Sequence, residues 1–211
     1  MATLLFEDQD YRVMTKRGGE HFDDPSITHS GSAGVSWEPV HRLDFETSGL
    51  LLCARPALVE VTRKLFQDPS SSLKKIYLAG ASQEVPNTFV HGKPVYGFIG
   101  SRYRSSKKVR WGFEEKEFRA WHSVRPASLI VKEHEAPVAA FQGKPYEVQL
   151  LTGARHQIRA FFASAGAPLC GDVLYGAKPL ESGRLELHSW KMSFEHPEIE
   201  GKTMEFEAPL A

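Results

Sequence analysis

Apolar residues alternate with polar ones, or gather in short runs, along most of this chain, and they keep a helical spacing in two places. Leu4-Leu5-Phe6 and Tyr11-Arg12-Val13-Met14 flank the acidic stretch Glu7-Asp8-Gln9-Asp10, which predicts a short hairpin. Residues 18 to 39 are rich in Gly, Ser, Asp and Pro and read as a long loop. A loop of that length inside a compact domain is often functional. Leu50-Leu51-Leu52-Cys53-Ala54 is apolar throughout and reads as a buried strand, with Thr47-Ser48-Gly49 as the turn that enters it. Pro56 then opens a helix whose apolar face is Leu58, Val61, Leu65 and Phe66, and Asp68-Pro69 stops it. Ile76 to Gly80 reads as a strand, and residues 81 to 143 show only short, weak strand patterns. Tyr146, Val148 and Leu150 alternate as a half-buried strand. After Thr152-Gly153, Ile158, Phe161, Phe162 and Ala165 mark the second helical face, closed by Gly166, and strand-like pieces follow at Leu185 to Phe194 and Thr203 to Glu207. Strands outnumber helices without regular alternation, so the expected class is α+β with a mixed, mostly antiparallel sheet.

Composition narrows the class. The chain has 211 residues, 41% hydrophobic and 11% aromatic, enough for one large domain or two small lobes. Two cysteines, Cys53 and Cys170, make neither a disulfide framework nor a metal site and fit a reducing cytosol. The first residues hold no apolar run long enough for a signal peptide or a membrane span. Net charge is zero, which speaks against bulk attraction to nucleic acid. Charge is nevertheless uneven: Arg102, Arg104, Lys107, Lys108, Arg110, Lys116, Arg119, Arg125 and Lys132 crowd one stretch. Such a run is either a solvated face or a local basic surface.

Candidate chemistry centres on His41-Arg42-Leu43-Asp44, set directly before the apolar strand. Asp44 reads as turn chemistry when taken alone. A carboxylate beside such a strand is costly to bury without a cation. One is available in Gly153-Ala154-Arg155-His156-Gln157-Ile158-Arg159, where Arg159 borders the apolar helical face and could offer its planar fork. The alternative is an arginine whose stem packs on the core with its head in water. Tyr77, on a strand after Lys74-Lys75, reads as a core residue or as a ring that stacks on a flat substrate. His156, His188 and His196 stand singly, and no metal-ligand spacing, phosphate loop or nucleophile elbow is present.

Taken in order, these segments resemble the RluA-type RNA pseudouridine synthases. His41-Arg42-Leu43-Asp44 with Thr47-Ser48-Gly49-Leu50 is similar to the signature of that family, Lys75-Ile76-Tyr77 to its Lys-x-Tyr strand, and Gly153 to Arg159 to its Gly-Arg-Thr-His-Gln-Ile-Arg segment. Gly166 to Asp172 with Tyr175-Gly176 is similar to its Gly-x-Pro-Ile-x-Gly-Asp-x-x-Tyr-Gly turn, and Leu187 to Trp190 with Phe194 to Pro197 to its closing strand. The resemblance runs from about residue 4 to about 209. It implies a single catalytic domain over 1–211 with a mostly antiparallel sheet in two halves and a central cleft, and no separate S4-like N-terminal RNA-binding domain. It implies isomerisation of uridine to pseudouridine in ribosomal or transfer RNA, with base flipping and without metal or organic cofactor. Asp44 would be the essential aspartate, Tyr77 would stack on the base and help move its C5 proton, and Arg159 would pair with Asp44. Substrate contacts would come from His41, Arg42, Arg155, Gln157 and Ile158. A cytoplasmic monomer, with RNA as its partner and no membrane, is the corresponding expectation.

Two stretches depart from the family pattern. Ala154-Arg155 stands where the family has Arg-Thr or Arg-Ser, and Arg17 follows Lys16 where the family has Pro. They motivate the alternative of an RNA-binding or RNA-chaperone protein of the same fold with weak or lost catalysis. A carboxylate glycosidase would need a second placed acid, and no acid besides Asp44 falls in a recognisable motif for that chemistry.

Overall fold

The computed structural model describes residues 2–28 and 36–210. Of the loop expected over 18–39, residues 29–35 lie outside the described ones. Its flanks hold one helical turn, α1 (Pro25–Thr28), and the two-residue strand β3 (Glu38–Pro39). The chain forms two compact units: Met1–Ile76 with His188–Ala211, and Tyr77–Leu187.

The first unit begins with the expected hairpin, β1 (Thr3–Glu7) and β2 (Tyr11–Lys16), paired antiparallel. Asp8 shapes its turn, its Oδ1 accepting the backbone N–H groups of Asp10 and Tyr11, each at 2.8 Å. β2 lies antiparallel to β4 (Ser48–Ala54), from Tyr11 opposite Ala54 to Lys16 opposite Gly49. Every residue of β4 is buried, as its unbroken apolar run requires. β4 also pairs in parallel with β10 (Leu187–Glu195), and β11 (Thr203–Glu207) closes antiparallel on β10. Gly49 is needed at the parallel contact. Its φ is +107°, and a Cβ there would stand 2.2 Å from the Ser189 carbonyl oxygen. The helix expected after Pro56 is a tight turn, Pro56–Leu58, continued by α2 (Val59–Gln67) and ended at Asp68. Leu58, Val59, Val61, Leu65 and Phe66 face a core of Tyr11, Val13, Leu50, Leu52, Met192 and Phe194.

In the second unit the strands run in the order β5 (Lys74–Ala81), β9 (Lys144–Leu150), β8 (His122–Glu133), β6 (Pro94–Ser101), β7 (Arg110–Gly112). The pairings β9–β8, β8–β6 and β6–β7 are antiparallel. The stretch 81–143, expected to hold only short pieces, contains the eight-residue β6 and the twelve-residue β8. α3 (Gln157–Ser164) turns its apolar face inward: Phe161 meets Trp111 edge-on at 5.3 Å, and Phe162 meets Tyr146 at 5.8 Å. The class is α+β with a mixed, mostly antiparallel sheet, as the hydrophobic pattern indicates. Cys53 is buried on β4 and Cys170 in the second unit, both as free thiols.

Candidate active site

In the first unit Asp44 ends the His41-Arg42-Leu43-Asp44 segment and opens a turn, its carbonyl accepting the Thr47 N–H at 3.1 Å. The turn therefore spans Asp44–Thr47 and starts three residues earlier than the sequence suggests, because Ser48 and Gly49 already belong to β4. Lys16 fixes this turn from the end of β2. It is fully buried, and its Nζ donates to the carbonyls of Arg17 (2.8 Å), Glu20 (2.9 Å) and Phe45 (3.0 Å). Gly19 N–H adds a second bond to the Phe45 oxygen at 2.8 Å, so residues 16–20 clasp the residue next to Asp44. Burial pulls the Lys16 pKa down to about 8, against the opposing pull of the Glu20, Asp44 and Glu46 carboxylates. Lys16 and the Asp44 carboxylate thus act on each other through charge within this unit.

His41 is engaged inside the fold. Its Nε2 accepts the Leu52 N–H at 3.0 Å, and its ring stacks on Phe66 at 4.7 Å. Burial, reinforced by the Lys75 charge, drives its pKa down to about 3, so the ring is neutral at pH 7. Lys75 lies over the same Phe66 ring at 5.4 Å, and burial lowers its pKa to about 8. Arg42 is exposed, its guanidinium 5.5 Å from the Phe22 ring. Ser48 Oγ and His188 Nδ1 are 2.8 Å apart at the start of β4.

In the second unit Tyr77 sits on β5, only 7% exposed. The turn before α3 is clamped by Gln157, whose Oε1 accepts Ala154 N–H (2.9 Å) and Thr152 Oγ1–H (3.0 Å). Its Nε2 donates to Ser128 O at 2.9 Å. Gln157 and Ile158 are both buried, so the contacts that the structure gives them are internal to the fold. His156 precedes the helix with a left-handed φ of +52°, a conformation that costs a non-glycine residue about 1–2 kcal/mol.

Arg159 is 2% exposed and forms a two-pronged bond with Asp172: Nε to Oδ2 and Nη2 to Oδ1, both at 2.8 Å. This is a planar fork matched to a carboxylate. The carboxylate found on Arg159 thus includes one to which the sequence reading gave no role. Asp172 lies in the Gly171-Asp172 turn, where an aspartate ordinarily reads as local turn chemistry. The Arg159 guanidinium also stands 5.4 Å from the Tyr175 ring. The Tyr175 hydroxyl accepts the Val109 N–H and donates to the Val109 carbonyl, each at 3.1 Å. Arg155 is exposed, with Nη2 donating to Ser106 O at 2.8 Å. Among the described residues no three His, Cys, Asp or Glu side chains cluster as metal ligands, and no helix is long and apolar enough to cross a membrane.

Residues 25–164 match the family model of RNA pseudouridylate synthases. The chain belongs to that family. Asp44, Tyr77 and Arg159 all fall inside the matched segment, whereas Lys16 and Asp172 lie outside it. Among curated relatives, the chain is 32% identical over 198 residues to the ribosomal large subunit pseudouridine synthase D of Neisseria meningitidis, covering 88% of this chain and 47% of that protein. It is 29% identical to the ribosomal large subunit pseudouridine synthase C of Pasteurella multocida, covering 98% and 64%. The chain therefore spans about half to two thirds of the length of these relatives. Among solved structures, human RNA pseudouridylate synthase domain containing 1 and domain containing 4 each superpose with a TM-score of 0.72 at 19% identity, over 99% of this chain and 83% and 88% of theirs. Those two likenesses establish the pseudouridine synthase fold.

Proposed function

We propose that this member of the RNA pseudouridylate synthase family isomerises uridine to pseudouridine in ribosomal RNA of the large subunit. The family match over 25–164, with Asp44, Tyr77 and Arg159 inside it, carries the reading. The names of the bacterial relatives support the choice of RNA. Such an enzyme would act as a cytoplasmic monomer on RNA.

The reaction is an isomerisation. The N1–C1′ bond of uridine breaks, the base turns, a C5–C1′ bond forms, and the C5 proton leaves while N1 gains one. Asp44 supplies the carboxylate, either by attacking C1′ or by assisting a glycal intermediate. Neither course reaches C1′ of a stacked, paired nucleoside, so the target uridine must be flipped out. Tyr77 stacks on the base and assists loss of the C5 proton. Arg159 pairs with the Asp44 carboxylate in addition to Asp172, and its charge keeps that carboxylate ionised. Arg42 and Arg155, both exposed, contact RNA, while His41, Gln157 and Ile158 shape the segments that carry the reactive groups.

The test is Asp44→Asn assayed against ribosomal RNA lacking the modification. Pseudouridine formation should drop by about a thousandfold or more, as for loss of an essential reacting group, in a variant that circular dichroism shows to be folded. An Asp44→Asn protein that restores the biological function of a deletion strain while binding RNA normally would instead favour the RNA-chaperone alternative.

A further inference from the structure

The basic stretch singled out in the sequence takes no part in the chemistry above, and in the second unit it builds a groove of about 670 Å³. Residues 102–110 read Arg-Tyr-Arg-Ser-Ser-Lys-Lys-Val-Arg, five cations and no acid, in a chain whose 26 basic and 26 acidic residues otherwise balance. Arg102, Lys107, Lys108 and Arg110 line the groove, and no acidic side chain does so among the described residues. Arg110 is already committed to Glu117. Arg102, Lys107 and Lys108 are exposed. Small residues of α3, Ala160, Ala163 and Ser164, also line it, and their short side chains leave room for a bound group. Trp121 brings a partly buried indole to the groove, and Tyr103, 61% exposed, a second ring.

This loop is held in place. Arg155 donates to Ser106 O, Tyr175 bonds both backbone groups of Val109, and Ser106 Oγ accepts the Tyr103 N–H at 2.9 Å. The two outer anchors come from the Gly153–Arg159 segment and from the turn that holds Asp172. The arginine that departs from the family pattern at 155 therefore braces the basic loop.

We infer that this groove is a second RNA subsite, taking one or two unpaired nucleotides of the substrate, with phosphates on Arg102, Lys107 and Lys108 and a base against Trp121 or Tyr103. The inference rests on the RNA reading above. Cations interleaved with aromatic rings, beside the small side chains of α3, match a single strand, in which each nucleotide offers one phosphate and one π-face. The volume falls in the range of pockets that hold small ligands. An acidic protein segment would use the charge but leave the rings without a role.

The experiment measures equilibrium binding of the full 211-residue chain to a fluorescein-labelled single-stranded RNA of about 12 nucleotides, a length suited to non-specific single-strand sites. Salt is varied, and Lys107→Glu/Lys108→Glu is set against a control reversal of the same charge, Lys64→Glu/Lys202→Glu. Loss of two phosphate contacts should weaken binding about 25-fold at 0.1 M salt and flatten the slope of log K against log salt by about 1.4. Trp121→Ala should weaken binding without changing that slope. In turnover assays the loss should appear in KM, not in kcat. An equal loss in the control pair overturns the inference, because it would reflect net charge alone. So does unchanged RNA binding in Lys107→Glu/Lys108→Glu, including the case in which that variant loses only an acidic protein partner. Because binding is read without turnover, a chain that makes no pseudouridine but shows the expected salt slope sinks the catalytic reading and keeps the groove.

Discussion

Lys16 in the first unit, which holds the turn after Asp44, and Arg159 in the second, at the start of α3, are both cations withdrawn from water, and the chain offsets the cost of burial in two ways. Around Lys16 it uses backbone: three carbonyls share one ammonium, and carboxylates act on it through space. Around Arg159 it uses a side chain, Asp172, in a two-pronged match. The difference follows from the groups themselves. An ammonium is compact, can point at three oxygens and can give up its proton, whereas a guanidinium stays charged and needs a planar partner. A carbonyl cage ties a cation to the course of the chain and so fixes a turn. A fork pair ties a helix to a distant turn and depends on one side chain.

That contrast can be broken most sharply at Asp172. Asp172→Ala strands a buried guanidinium and should cost about 3–5 kcal/mol, read as a lowered urea midpoint. Arg159→Ala should likewise lower stability as well as rate. A fully stable Asp172→Ala protein would mean that the fork pair contributes nothing. Lys16→Met should cost less, about 1–3 kcal/mol, because a lost charged hydrogen bond is worth about 1.5–3 kcal/mol while the desolvation penalty of the ammonium disappears with it. Turnover should fall further than stability does, since the Asp44 turn loses its clasp. Replacing both partners, Arg159→Met with Asp172→Leu, should return stability to within about 1–2 kcal/mol of the parent, because an apolar pair of similar volume needs no compensation. Activity should stay lost. A double variant as unstable as the single one would show that the pair organises the turn by more than charge.

The smallest effect concerns pH. Lys16 and Lys75 both have folded pKa values near 8, below the ordinary 10.5. Between those values the unfolded chain binds more protons than the folded one, so stability contributed by these groups rises with pH across that window. Below about pH 8 both states are protonated and the contribution is flat. The parent should therefore gain stability relative to Lys16→Met and Lys75→Met as pH climbs from about 8 to about 10.5. Parallel curves would remove burial as the cause of either shift.

Much of this was legible in the chain because the relevant signals are local. The β4 run, the α3 face and the β1–β2 hairpin each carry an unmistakable period. β6 and β8 do not, for identifiable reasons. Gly97 interrupts β6 because the Gly112 carbonyl and the Trp111 ring occupy the space a Cβ would need. Pro126 interrupts β8 where only β6 pairs with it, since the β9 ladder starts at Leu129, and a missing N–H is tolerated there. The motif residues Asp44, Tyr77 and Arg159 could be named from sequence by resemblance, whereas the geometry around them could not. Neither the Lys16 cage nor the Asp172 fork leaves a local trace. A lysine ending a strand and an aspartate after a glycine look ordinary until folding brings three carbonyls to one and a guanidinium to the other.

The placement of the two thiols supplies a built-in clock. Cys53 lies in the first unit and Cys170 in the second, and burial pushes their pKa values up to about 12 and about 11. A thiol reacts as its thiolate, so both are silent toward alkylating reagents at neutral pH while their surroundings stay closed. Labelling each cysteine over time, with peptide-level readout by mass spectrometry, follows the opening of each unit separately in an unmutated chain, and reagent in large excess, where modification outpaces reclosing, reads its rate.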